Sequence, residues 1–108
     1  MFDYQVVDRI VEILCREHSP SMIVVFGSVA SHTAGDDSDV DLLVVMDTEL
    51  DVLKRSVPLS LSLWEVKVPL DILVVTPEEF EAGMNDEYSF INHVLSTGTV
   101  VFHDGRRS

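Results

Sequence analysis

The sequence predicts an α/β domain: a mixed sheet of about four strands flanked by helices. Three observations carry that prediction. Short apolar runs of strand length alternate with amphipathic or well-capped helical stretches. Two of the strands, Val40-Asp41-Leu42-Leu43-Val44-Val45 and Leu70-Asp71-Ile72-Leu73-Val74-Val75, are near copies joined by a helical stretch, which favours a parallel pairing. Gly27-Ser28 leaves the first strand whereas Asp39 leads into the second, so these two motifs meet only if those strands run antiparallel. With 108 residues and 46% hydrophobic content, one domain with one core is expected over residues 1–108, with 104–108 as a frayed tail.

In chain order, Val6, Val7, Ile10, Val11 and Leu14 recur at helical spacing between charged residues, which predicts an amphipathic helix over 4–18, ended by Ser19-Pro20. Residues 22–26 are wholly apolar, as in a central strand covered on both faces. Gly27-Ser28 stops that strand, a short helical turn follows over 29–31, and 33–38, with Gly35, Asp36 and Asp37, reads as a polar loop. The second strand spans 39–46. Thr48 and Asp51 then have the spacing of a capping box. Pro58 divides the stretch 50–67 into two helical pieces or kinks it, and Leu59, Leu61, Leu63 and Trp64 show no clean period; they read as core, with an exposed apolar strip for a partner as the other reading. A third strand covers 70–75. Thr76-Pro77-Glu78-Glu79 is a strong helix start, followed by a brief helix, a second one over 89–96 closed by Gly98, and a last strand over 99–103.

Seven Lys and Arg stand against 19 Asp and Glu, a net charge of −12, and the cations are scattered. Such a surface repels a phosphate backbone, so nucleic acid is not an expected partner. A small nucleotide that brings its own divalent cation is compatible, because the metal supplies the missing positive charge. Cys15 stands alone and reads as a small apolar helix residue, and a reducing cytoplasm is expected. The first residues, with Asp3 and no basic region before an apolar stretch, do not read as a signal peptide, and no apolar run approaches membrane-spanning length.

Asp39 and Asp41 lie two apart on a strand and share one face, so they can grip one ion. In-register pairing of the twin strands sets Asp71 beside Asp41. Carboxylates gathered in this way repel by about 1 kcal/mol per pair at 4 Å in water and about 4 kcal/mol at a partly buried position, so a cation must offset them. Hard divalent ions such as Mg²⁺ prefer carboxylate oxygens together with substrate phosphates. Gly27 allows close backbone approach to phosphate, and Ser28 at the head of a helical turn offers a hydroxyl and free N–H groups. The candidate metal ligands and catalytic residues are therefore Asp39, Asp41 and Asp71, with Gly27 and Ser28 binding the nucleotide.

The run Val25-Phe26-Gly27-Ser28-Val29-Ala30, continuing to Asp37-Ser38-Asp39-Val40-Asp41-Leu42-Leu43-Val44, resembles the minimal nucleotidyltransferases of the DNA polymerase beta superfamily, and the similarity extends through Asp71 to the closing 94–102 segment. The resemblance implies the polymerase beta-like nucleotidyltransferase fold. It implies that the aspartates at 39 and 41 hold metal, two Mg²⁺ ions in the full arrangement, that Ser28 contacts the phosphates, and that Asp71 helps activate an acceptor hydroxyl. The implied reaction is transfer of a nucleoside monophosphate, most often AMP from ATP, to that hydroxyl. It further implies the antitoxin half of a two-component system whose partner is a small helical HEPN-type protein; with no second module to hold an acceptor, that protein or a homo-oligomer is expected to complete the site. The sequence departs from the family where Arg or Lys is frequent at 29 and 31 and glycine is usual at 32; here stand Val29, Ser31 and His32. The missing cations motivate an alternative, a non-catalytic antitoxin-like module that neutralises its partner by contact alone.

Overall fold

In the computed structural model, which describes residues 3–31 and 39–104, the chain opens with α1 (Gln5–His18). Its buried side chains, Val7, Ile10, Ile13 and Leu14, fall on one stripe. The helix stops at Ser19, which takes the left-handed conformation at φ 51°, directly before Pro20. Four strands follow the expected boundaries closely: β1 (Met22–Phe26), β2 (Val40–Val45), β3 (Leu70–Val75) and β4 (Thr99–His103). Their order in the sheet is β3-β2-β1-β4. β1 runs antiparallel to both β2 and β4, whereas β2 and β3 run parallel, so the sheet is mixed as predicted.

Alternation along the strands sorts the core into two layers. Ile23 and Val25 of β1, Val40, Leu42 and Val44 of β2 and Val74 of β3 face one side, where they pack with α1, with Leu59 of α2 (Ser56–Ser62) and with Leu63 just after it. Val24, Leu43, Val45 and Val75 face the other, under Phe80 of α3 (Pro77–Met84) and Val94 of α4 (Phe90–Thr97). The second layer is much the smaller. It covers the far half of β2 and β3 and leaves the near half of that face open, which is where Asp41 and Asp71 stand.

The helix starts show how local chemistry fixes boundaries. Thr76 and Glu79 form a reciprocal capping box, with Thr76 Oγ1 accepting from the Glu79 N–H at 3.2 Å and Glu79 Oε1 accepting from the Thr76 N–H at 2.9 Å. Ser89 caps α4 by accepting from the Asn92 N–H at 3.0 Å. The capping box expected at Thr48 and Asp51 does not form: Thr48 Oγ1 accepts from the Leu50 N–H at 3.1 Å in a local turn, and Asp51 caps the following 3₁₀ turn, Val52–Lys54, without a side-chain bond. Pro58 sits in the first turn of α2, where its missing N–H costs nothing, so the 50–67 stretch becomes two short helical pieces.

Two other expectations need correction. Trp64 and Leu61 are not core; they are exposed, and only Leu59 and Leu63 of that cluster are buried. Asp104 is not frayed, since its N–H donates to the Ser21 carbonyl at 3.0 Å. The predicted loop 33–38 with Asp36 and Asp37, His32, and the tail 105–108 lie outside the described residues.

Candidate active site

The site is assembled at one end of the sheet, where β1 finishes and β2 and β3 begin. Asp41 and Asp71 are direct register partners on the parallel pair, the positions that the twin strand sequences predict. Asp39 lies two residues before Asp41 and is exposed. The Val40 N–H donates to the Pro69 carbonyl at 2.9 Å, so the starts of the two acid-bearing strands are pinned together. That carbonyl is a positioning group the sequence reading did not single out; the signal for it was the Pro69 that precedes the second twin strand.

Antiparallel pairing brings the end of β1 to the same place, with Phe26 opposite Asp41. Gly27 follows at φ 75°, a left-handed conformation that side-chain-bearing residues rarely adopt. A Cβ built on Gly27 would collide with the Asp41 carboxylate and would lie 3.2 Å from its Cγ. Glycine at 27 therefore serves two purposes: it turns the chain out of β1, and it leaves the space into which the Asp41 side chain leans. After it, the Ser31 N–H donates to the Gly27 carbonyl at 3.1 Å and closes one helical turn, with half-buried Ser28 at its head, as expected. Val29, on the same turn, is 2% exposed and belongs to the core of the α1 layer. Phe26 meets Phe90 edge-to-face at 5.6 Å, which closes the adjacent end of the second layer.

The electrostatics register the convergence. Asp41 is held above the ordinary aspartate value of 3.8, first by its partial burial and then by the negative charge of Asp71 and of Asp39. Asp41 thus lies within electrostatic reach of both Asp71 and Asp39, and its ionisation beside them is unfavourable without a cation. Among the described residues no three or more His, Cys, Asp or Glu side chains stand in a ready-made metal cage. The arrangement suits Mg²⁺ nonetheless, because that ion is held by one or two carboxylates and takes its remaining ligands from water and substrate phosphates. A cavity of about 470 Å³ between β4, α3 and α4, lined by Met22, Phe80 and Met84, lies at the opposite end of the strands and takes no part in this site.

The family described as "Nucleotidyltransferase domain" matches residues 7–101. No curated protein matches the chain in sequence. Among solved structures, a protein of Sulfolobus solfataricus proposed to be a nucleotidyltransferase superposes with a TM-score of 0.66 at 20% identity, covering 94% of this chain and 81% of that one. A toxin–antitoxin structure with AMP-PNP gives 0.62 at 20% identity, over 91% of this chain and 73% of that one. A toxin–antitoxin MntA–HpeT mutant gives 0.61 at 15% identity, over 97% and 76%. At these identities the structural likenesses show a shared fold. Among the described residues, no helix is long and apolar enough to cross a membrane.

Proposed function

The chain belongs to the nucleotidyltransferase domain family, and from that premise we propose that it is a Mg²⁺-dependent adenylyltransferase that moves AMP from ATP to a hydroxyl group of a protein partner, as the antitoxin of a toxin–antitoxin pair with a HEPN-type toxin. The observation that carries this reading is the in-register pairing of Asp41 with Asp71, with Gly27 making room for the Asp41 carboxylate. Asp39, Asp41 and Asp71 would hold the metal, two ions in the full arrangement. When bound, Mg²⁺ supplies the positive charge that a triphosphate and its departing pyrophosphate need and that this acidic chain lacks.

The chain's own residues do the rest. The turn after Gly27 presents Ser28 and its backbone to the phosphates. Asp71, on the outer flank of Asp41, takes the proton of the acceptor hydroxyl as its oxygen attacks the α-phosphorus and the bond to pyrophosphate breaks. The open half of the sheet face leaves that flank accessible to a partner. The toxin–antitoxin neighbours, one of them with AMP-PNP, support a nucleotide ligand and a protein partner.

One observation favours a second reading, neutralisation by contact alone: Val29 is buried in the core, so the phosphate-facing turn has no cation at that position. Labelled ATP separates the two. With ATP labelled at the α-phosphorus, Mg²⁺ and the co-purified partner, the transferase reading predicts label on the partner, none from γ-labelled ATP, and loss of transfer in Asp39→Asn/Asp41→Asn. Absence of transfer, with partner toxicity suppressed equally by both forms, would establish the contact module instead.

A further inference from the structure

Asp71, Asp41 and Phe26 stand in one row across the end of the sheet, on three neighbouring strands: Asp71 is the register partner of Asp41, and Asp41 that of Phe26. They share a face. Phe26 packs against the smaller layer, and Asp41 and Asp71 each lie two residues before a leucine, Leu43 and Leu73, of that same layer. Side chains directly opposite on an antiparallel pair lie about 5 Å apart at Cβ, so Phe26 is the immediate neighbour of Asp41 on the side away from Asp71. Phe90, the first residue of α4, meets the Phe26 ring edge-to-face, with centroids 5.6 Å apart and planes at 82°. The backbone there is held as well, since Ser89 Oγ accepts from the Asn92 N–H and donates to the Gly83 carbonyl, tying the start of α4 to α3. Yet the contact uses only part of the ring: Phe90 is 52% exposed and is the one phenylalanine among the described residues that stands in solvent. A rigidly held aromatic ring is thus left half bare, one side chain away from Asp41, beside the open half of the sheet face.

We propose that Phe90 is the platform on which the nucleobase stacks, so that the nucleotide lies across the row with its phosphates and metal at Gly27, Ser28 and the aspartates and its base on Phe90, beyond Phe26. The inference rests on the nucleotide reading given above and adds to it the residue that holds the base. The spacing suits it: one sugar separates a base from its α-phosphate, and one side chain, Phe26, separates Phe90 from Asp41. The chemistry suits it too, because every base has a π-face that an aromatic ring covers without bringing in charge. Charge is what this chain lacks for the task. With a net −12 and no cation in the turn Gly27–Ser31, it draws a triphosphate chiefly through the metal, so the uncharged end of the nucleotide is where its own side chains can add affinity. A phenyl ring carries neither donor nor acceptor, so stacking on it ranks bases by ring area, purines above pyrimidines, and treats adenine and guanine alike. The base then lies on the β1 side of Asp41, which leaves the Asp71 flank to the acceptor.

Titration calorimetry of the whole chain with Mg²⁺ and, in turn, ATP, UTP and inorganic tripolyphosphate tests the platform, because tripolyphosphate carries the phosphates without a base. The parent is expected to bind ATP more tightly than UTP. Phe90→Ala should lower ATP affinity roughly 5- to 150-fold, the range of one base–aromatic stack, and leave tripolyphosphate affinity unchanged. Phe90→Trp should restore the parent affinity or exceed it, whereas Phe90→Leu, which keeps an apolar contact with Phe26, should show most of the loss. In the parent, ATP but not tripolyphosphate should move the Phe90 ring protons upfield in the nuclear magnetic resonance spectrum. Should Phe90→Ala fail to fold, the leucine variant and the ring-proton shifts carry the same expectation. An ATP affinity that is unchanged in the variants, or that falls in equal proportion with that of tripolyphosphate, overturns the platform and leaves the metal and phosphate site standing. A parent that binds neither ATP nor tripolyphosphate in the presence of Mg²⁺ overturns that site, and the platform with it.

Discussion

Asp41 is the residue on which stability and the proposed function pull in opposite directions. Partial burial and two neighbouring carboxylates push its proton affinity up, so the folded chain holds that proton more tightly than the unfolded chain does. Ionised Asp41 is therefore a cost to the fold. That cost is absent below the ordinary value of 3.8, grows as pH rises from 3.8 through the raised folded value, and is constant above it. Asp41→Asn removes the charge while keeping the shape. At pH 7 and without metal it should raise the melting temperature, by an amount that corresponds to about 1 kcal/mol, or about 4–8 °C for a domain of this size. The gain should vanish as pH falls below 3.8, and thermal melts of both proteins across pH 3 to 7 check it (a range of about four units). A variant less stable than the parent at pH 7 would show that the Asp41 carboxylate is a favourable contact rather than a strained one. Gly27 is part of the same economy of space, since its missing side chain is what lets Asp41 lean in.

At the scale of elements, the parts that the sequence made legible are those where one local rule has no competitor. The twin strands announced their register, and Asp41 and Asp71 pair accordingly. Thr76, Pro77 and Glu79 announced a helix start, and all three act in it. The stretch 50–67 was illegible for a physical reason: α2 is apolar on two sides, Leu59 and Leu63 inward and Val57 and Leu61 outward, so no single period emerges and Trp64 reads as core. What fixes that stretch is a contact that spacing cannot reveal. Arg55, with a side chain only 11% exposed, donates to the Leu50 carbonyl at 3.0 Å, the Val74 carbonyl at 3.4 Å and Glu79 Oε1 at 2.6 Å. One guanidinium thereby ties the loop after β2 to the end of β3 and the start of α3, and it holds the Glu79 carboxyl below the usual range, with the Thr76 backbone adding to the effect. Arg55→Ala should cost about 1–3 kcal/mol at neutral pH. Because the Glu79 contribution is present above its ordinary value of 4.5 and is lost as pH falls through its lowered folded value, the difference between parent and variant should narrow in acid. Urea unfolding at neutral and acidic pH measures both effects, and an unchanged midpoint would remove Arg55 from the framework.

At the scale of the whole molecule, the chain is a small α/β scaffold with two unequal layers. The larger one, under α1 and α2, supplies most of the core. The smaller one stops short and leaves three carboxylates uncovered at the end of the sheet where β1, β2 and β3 meet. Membership of the nucleotidyltransferase family and the pairing of Asp41 with Asp71 were both readable in the sequence, because these acids stand on strands with a strict period of two; whether Leu61 and Trp64 face the core or water was left between two readings, because an apolar residue carries no mark of which way it faces. The central claim is that this end of the sheet takes a divalent cation together with a nucleotide, and its sharpest test is paramagnetic broadening by Mn²⁺ in the presence of ATP, read residue by residue by nuclear magnetic resonance. The account predicts broadening centred on the amides of Gly27, Ser28, Asp39, Val40, Asp41 and Asp71, displaced by excess Mg²⁺ and abolished in Asp39→Asn/Asp41→Asn. Broadening centred elsewhere on the acidic surface, or unchanged in the double variant, would contradict it.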